Sequence, residues 1–98
     1  MSRIELAPEV AEDIERIYEH LAQYEVENIS TRIQEIIQAI AVLEQNPLIG
    51  RPANGDNREL IIGRDSRGYI ALYRYIDAID TIFVLAVRSQ REAGYARD

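Results

Sequence analysis

The chain has 98 residues, enough for one domain around a single modest core and too few for two. Its hydrophobic fraction of 47% is that of a folded globular protein; the absence of cysteine excludes disulfides and thiolate metal sites, and no apolar run approaches the about 18 residues of a membrane-spanning helix. The net charge of −6 argues against strong non-specific attraction to nucleic acid, and with no apolar leader-like stretch at the start the expectation is a cytoplasmic protein.

Residues 3–7, Arg-Ile-Glu-Leu-Ala, alternate polar and apolar, the signal of a short strand. Pro8 follows and suits a first helical turn, where its missing N–H would lack a partner anyway. Val10, Ile14, Ile17 and Leu21 then recur at helical spacing, with Glu9, Glu12 and Asp13 near the end where carboxylates offset the helix dipole. The first helix is expected over 8–23. A second is expected over 26–45, with Ile29, Ile33, Ile36, Ile37, Ile40 and Leu43 as its core-facing stripe, and Asn46-Pro47 ends it. Residues 47–57, PLIGRPANGDN, read as a loop by composition. Residues 58–62 are a further strand, and 63–68, GRDSRG, a charged turn. Residues 69–76 and 81–87 are rich in β-branched and aromatic side chains and read as a hairpin joined by Asp77-Ala78-Ile79-Asp80.

The order β-α-α-β-β-β predicts a single α+β domain over residues 1–98. Two N-terminal amphipathic helices pack on one face of a mostly antiparallel four-stranded sheet, which the first strand must join. Pairing Ile76 with Thr81 places Ile70, Leu72, Arg74 and Ile76 with Phe83, Leu85 and Val87 on one face of the hairpin. Tyr69, Ala71, Tyr73 and Tyr75 then share the other with Ile82, Val84, Ala86 and Arg88.

The charge is unevenly placed. Residues 1–49 carry three arginines against ten carboxylates, and residues 50–98 eight arginines against seven. Every cation is an arginine, the side chain suited to planar contacts with carboxylates and phosphates. His20 is the only histidine and has no candidate nucleophile nearby, so it reads as a helix-surface residue. Glu9, Glu12, Asp13, Glu15 and Glu19 read as a solvated helix face, because acid–base work needs carboxylates that converge. Gly50-Arg51-Pro52 and residues 63–68 precede no helix and read as turns rather than phosphate cradles. Arg58, Arg74, Arg88, Arg91 and Tyr95 remain. They could clamp a partner's carboxylates, stabilise charge on a phosphodiester, or, for Arg58 and Arg74, pair with Glu59 or Asp65 to finish the sheet. Glu59 and Glu92 are the carboxylates close to them in sequence.

Four stretches resemble the RelE/ParE superfamily of toxins from type II toxin–antitoxin systems. APEVAEDIERIYEHLA resembles its first strand-to-helix segment, and LEQNPLIGRP its helix-two exit, L-x-x-x-P-x-x-G-R. RELIIG with GYIALYRY, and then IFVLAVRSQREAGY, resemble its last three strands and tail; the closing pattern is that of the ParE-like, plasmid-stabilisation branch. The resemblance implies a growth-inhibiting toxin neutralised by a cognate antitoxin, with no cofactor and no metal. ParE-like members poison DNA gyrase, whereas RelE-like members cleave mRNA on the ribosome without metal and typically carry a catalytic arginine right after a Gly-Tyr pair. Here Ile70 follows Gly68-Tyr69. That departure and the acidic charge predict a protein-binding toxin rather than an enzyme, acting on gyrase and not on DNA directly. Arg58, Arg64, Arg67, Arg74, Arg88, Arg91 and Tyr95 are its expected partner-binding residues. Were the chain the alternative, a ribosome-dependent nuclease, Arg74, Arg88, Arg91 and Tyr95 would be its catalytic set. A third possibility is a weakly toxic relative kept for antitoxin binding.

Overall fold

A computed structural model describes residues 1–24, 27–63, 68–92 and 94–95. Strand β1 (Arg3–Leu6) leads into helix α1 (Pro8–Gln23) and then α2 (Ile29–Ala41), which tightens into a 3-10 turn at Val42–Glu44. Strands β2 (Arg51–Pro52), β3 (Asn57–Ile62), β4 (Tyr69–Ile76) and β5 (Thr81–Ser89) complete the domain. The first helix has the bounds its periodicity predicts. The second is shorter than 26–45 at both ends, beginning after Asn28 in a left-handed conformation (φ 60°) and giving way to the 3-10 turn at its C-terminus. The charged turn expected at 63–68 falls mostly outside the described residues.

Among the described residues the sheet has five strands rather than the expected four, in the order β1-β5-β4-β3-β2. The additional strand is the pair Arg51–Pro52, inside the stretch read as a loop, which lies antiparallel to β3 with Arg51 opposite Glu59. Strand β1 runs parallel to β5, pairing Arg3 to Leu6 with Thr81 to Val84, and all other pairings are antiparallel. The start of β1 is fastened to the β4–β5 turn. Asp80 accepts hydrogen bonds from the Ser2 hydroxyl (2.6 Å) and the Tyr75 hydroxyl (2.7 Å), and its carbonyl accepts the Arg3 N–H (3.0 Å).

The helices cover one face of the sheet. Val10, Ile17 and Leu21 of α1, Ile36 and Ile40 of α2, and Leu43 pack against Ile62, Tyr69, Ala71, Tyr73, Ile82, Val84 and Val87. Ile37, placed in the helix-two stripe from sequence, is instead 57% exposed, one position off the line through Ile36 and Ile40. Tyr73 is wholly buried, and its hydroxyl accepts the Gly50 N–H at 2.9 Å. A Cβ on Gly50 would lie 2.7 Å from that ring, so the position requires glycine.

Ile76 does pair with Thr81, as the expected hairpin faces assumed, but the register shifts by one residue between Leu72 and Tyr73. Tyr73 faces Val84, while Leu72 faces Ala86, so Leu85 is an extra residue in β5. A β-bulge of this kind exchanges the faces beyond it, because side chains alternate with period two. Val87 therefore joins Tyr69, Ala71 and Tyr73 in the core, and Arg88 moves to the opposite face, across from Ile70. The expected faces are corrected at these positions: beyond the bulge, Ala86 and Arg88 exchange places with Val87.

Candidate partner-binding site

Away from the helices, the register aligns three rows across β3, β4 and β5: Ile61, Ile70 and Arg88; Glu59, Leu72 and Ala86; Asn57, Arg74 and Phe83. Glu59 is the electrostatic centre of this face. Arg51 donates to its Oε1 from Nε (3.1 Å) and Nη2 (3.0 Å), and the Tyr95 hydroxyl donates to its Oε2 at 2.7 Å. Burial alone would raise the Glu59 pKa. The hydrogen bonds from Tyr95 and Arg51, with the charges of Arg51 and Arg88, outweigh it and hold the carboxyl below its ordinary value. Burial, then the bond to Glu59 and its charge, push the Tyr95 hydroxyl up.

The guanidinium of Arg88 stacks over the Tyr95 ring, 5.0 Å from its centroid, and its Nη1 donates to the carbonyls of Glu92 (2.8 Å) and Ser89 (3.2 Å). Its Nε is buried without a partner among the described residues. Because Tyr95 reaches Glu59, the chain after β5 crosses back over β4 towards β3. Ile70 faces away from the helices yet is only 4% exposed, beside Arg88 and opposite Ile61.

The arginines grouped from sequence divide. Arg88 and Tyr95 come together. Arg58 lies opposite Tyr73, on the helix-packed face, where its Nη1 donates to the carbonyls of Gly50 (2.7 Å) and Leu48 (3.2 Å); it braces the loop before β2. Arg74 is on the same face as Arg88, four residues along β4 from Ile70 and so about 13 Å away. Its Nε donates to Asn57 Oδ1 at 2.9 Å, and it borders a groove of about 440 Å³ with Leu48, Pro52, Tyr75 and Ile76. Arg91 is exposed on the tail, and its backbone N–H donates to Ser89 Oγ (3.2 Å). Arg64 and Arg67 lie outside the described residues. Of the two carboxylates weighed as partners for Arg58 and Arg74, Glu59 bonds neither and is met by Arg51, set aside as a turn residue, while Asp65 lies outside the described residues.

A second cluster joins α1 to the tail. Asp13, assigned to the solvated face of the first helix, is 1% exposed. Its Oδ2 accepts the Val87 N–H (3.0 Å) and its Oδ1 accepts Arg16 Nη1 (2.9 Å). Arg16 also donates to the Val87 carbonyl (3.3 Å) and to both carboxylate oxygens of Glu92 (3.2 and 3.3 Å), while Glu92 Oε2 accepts the Ser89 N–H at 2.7 Å. Strand β1 ends at Leu6, opposite Val84, so among the described residues no strand flanks β5 on that side beyond this point, while β4 pairs its other side to Ser89. Asp13, Arg16 and Glu92 satisfy the Val87 N–H and C=O and the Ser89 N–H along that edge. Helical spacing held a signal for Asp13: it lies three residues after Val10 and four before Ile17, on the apolar stripe.

The fold is that of small toxins from type II toxin–antitoxin systems. In the solved chromosomal ParDE system from P. aeruginosa, a chain of 24% identity superposes with a TM-score of 0.74, covering 91% of this chain and 96% of that one. The intact E. coli RelBE toxin–antitoxin complex contributes a match at 15% identity and TM-score 0.66, covering 94% and 100%. The archaeal RelE–RelB complex from Pyrococcus horikoshii gives 13% identity and TM-score 0.58, covering 94% and 98%. A search of curated proteins gave no match. The family described as the ParE toxin of the type II toxin–antitoxin system parDE matches residues 4–94, and this chain belongs to that family.

Proposed function

We propose that this toxin inhibits growth by binding a protein, DNA gyrase, without catalysis of its own, and that a cognate antitoxin neutralises it. Ile70 carries this reading. It is buried beside Arg88, at the position after Gly-Tyr where the resemblance to RelE-like nucleases would put a catalytic arginine. The rest of the local chemistry is occupied as well. Arg88 is committed to tail carbonyls and the Tyr95 ring, and Glu59 is held in its ionised form by two partners, which weakens it as a base. The purified toxin should block supercoiling by purified gyrase. Normal supercoiling at saturating toxin would refute the gyrase target.

The antitoxin contact is assigned to the face of the sheet away from the helices. Leu72, Ile76 and Phe83 are partly exposed there and Ile61 is 42% exposed, with Arg74 among them. An amphipathic antitoxin segment would cover the apolar row while its carboxylates meet the arginines.

One observation favours a second reading, ribosome-dependent mRNA cleavage: Glu59 is a carboxylate beside Arg51, Arg88 and Tyr95. That reading predicts codon-linked breaks in transcripts after induction. Intact transcripts in growth-arrested cells would eliminate it.

A further inference from the structure

We propose that Arg16, on α1, is the positioning residue of the C-terminal tail, holding Arg88 and Tyr95 over the sheet through Glu92. The inference rests on the expectation from the sequence that Arg88, Arg91 and Tyr95 belong to the partner-binding surface. Arg16 has 35% of its side chain exposed and Glu92 33%, which in an ordinary surface pair would be worth little. Here the usual entropic cost is already met on one side. The guanidinium is fixed by the buried carboxylate of Asp13, which is itself fixed by the Val87 N–H. Its remaining donors are aimed at both oxygens of Glu92 and at the Val87 carbonyl. Glu92 then acts in two directions. Its carboxylate takes the Ser89 N–H, closing the turn out of β5, and its backbone carbonyl takes Arg88 Nη1. Arg88 in turn supports the Tyr95 ring, and Tyr95 reaches Glu59. The chain of contacts runs unbroken from α1 to β3 across the open face. It requires a planar fork that can serve two carboxylates at once, which a lysine lacks.

The test is amide hydrogen exchange on the full-length toxin in three variants. Arg16→Met, which keeps the apolar stem, should speed exchange at Ser89–Glu92 about tenfold while leaving the β4 amides unchanged. Glu92→Gln keeps the Ser89 contact and loses only the charge, and should speed it about fivefold. Arg16→Lys should restore protection only in part. Because Glu92→Gln leaves the Asp13–Arg16 pair in place, it decides the matter alone if Arg16→Met fails to fold. Unchanged tail protection in Glu92→Gln, or full protection in Arg16→Lys, overturns the inference. Inhibition of purified gyrase is measured on the same samples. Faster tail exchange with undiminished inhibition supports the tie and overturns the tail as a gyrase contact. Inhibition that falls in step with protection supports both.

Discussion

Replacing Asp13 by alanine isolates the cost of opening the edge of β5. The carboxylate is 1% exposed and accepts the Val87 N–H and the Arg16 guanidinium. Alanine leaves the Val87 N–H buried without that acceptor, at about 1–3 kcal/mol. The lost pair with Arg16, whose side chain is 35% exposed, adds at most about 1 kcal/mol. Alanine's better helix propensity returns about 0.5 kcal/mol. The expected net loss is about 0.5–3.5 kcal/mol, centred on about 2 kcal/mol. In urea, with a mid-range slope of about 2 kcal/mol per molar for a domain this small, the central value lowers the unfolding midpoint by roughly 1 M. Glu12 and Glu15 flank Asp13 in sequence but are exposed, so Glu12→Ala and Glu15→Ala should stay within about 0.5 kcal/mol of the parent. Asp13→Asn keeps an oxygen for Val87 and should lose about 1 kcal/mol. If Asp13→Ala unfolds together with the two controls at an unchanged slope, the edge-closing role is refuted.

Gly50→Ala would set its Cβ 2.7 Å from the Tyr73 ring and 2.9 Å from the Glu59 carbonyl. A loss of about 1–3 kcal/mol should appear as a thermal midpoint lower by roughly 5–20 °C. Glu59 titrates below its ordinary value of 4.5, so its contribution to stability is complete above that pH and is lost as pH falls through the lower folded value. Thermal midpoints measured from about pH 5 to pH 3 should fall more steeply for the parent than for Glu59→Gln; parallel curves would contradict the assignment. Arg88→Glu places a carboxylate near Glu59 and removes the cation under Tyr95, and should weaken the antitoxin complex about tenfold or more by calorimetry. An unchanged affinity would show that the tail is not the contact.

Much of the layer structure was legible in the sequence because it follows from periodicity. Val10, Ile17 and Leu21, and likewise Ile36, Ile40 and Leu43, stand at helical intervals and do form the helix side of the core. Strands β4 and β5 carry dense β-branched and aromatic runs, and their pairing from Ile76–Thr81 follows from the short loop. What was not legible depends on single residues in three dimensions. Two residues of β2 have no period to detect, and their pairing is reinforced by Arg51 reaching Glu59. The bulge at Leu85 is invisible to a pattern of period two, since either face assignment buries aliphatic residues. Asp13 resembles its acidic neighbours in composition, and only its place on the apolar stripe sets it apart. Arg58 and Arg74 looked equivalent by charge, but odd spacing from Glu59 and even spacing from Ile70 put them on opposite faces of the sheet.

The bulge and the buried Asp13 are linked by geometry. Strand β1 stops at Leu6 because Pro8 begins the helix, so α1 passes beside the part of β5 that β1 no longer flanks. At that level the extra residue, Leu85, has just exchanged the faces of β5. It sends Val87 into the core against α1 and Arg88 out towards Ile70. In an unbulged strand Arg88 would share the core face with Tyr73 and Val84, where a guanidinium would lose its water without a matched partner. One inserted residue thus lets the end of a core strand deliver a cation to the opposite face. The helix that covers the strand supplies, through Asp13 and Arg16, the groups that hold both the strand edge and the tail beyond it. The position of this tail therefore depends on α1 even though α1 lies on the other side of the sheet.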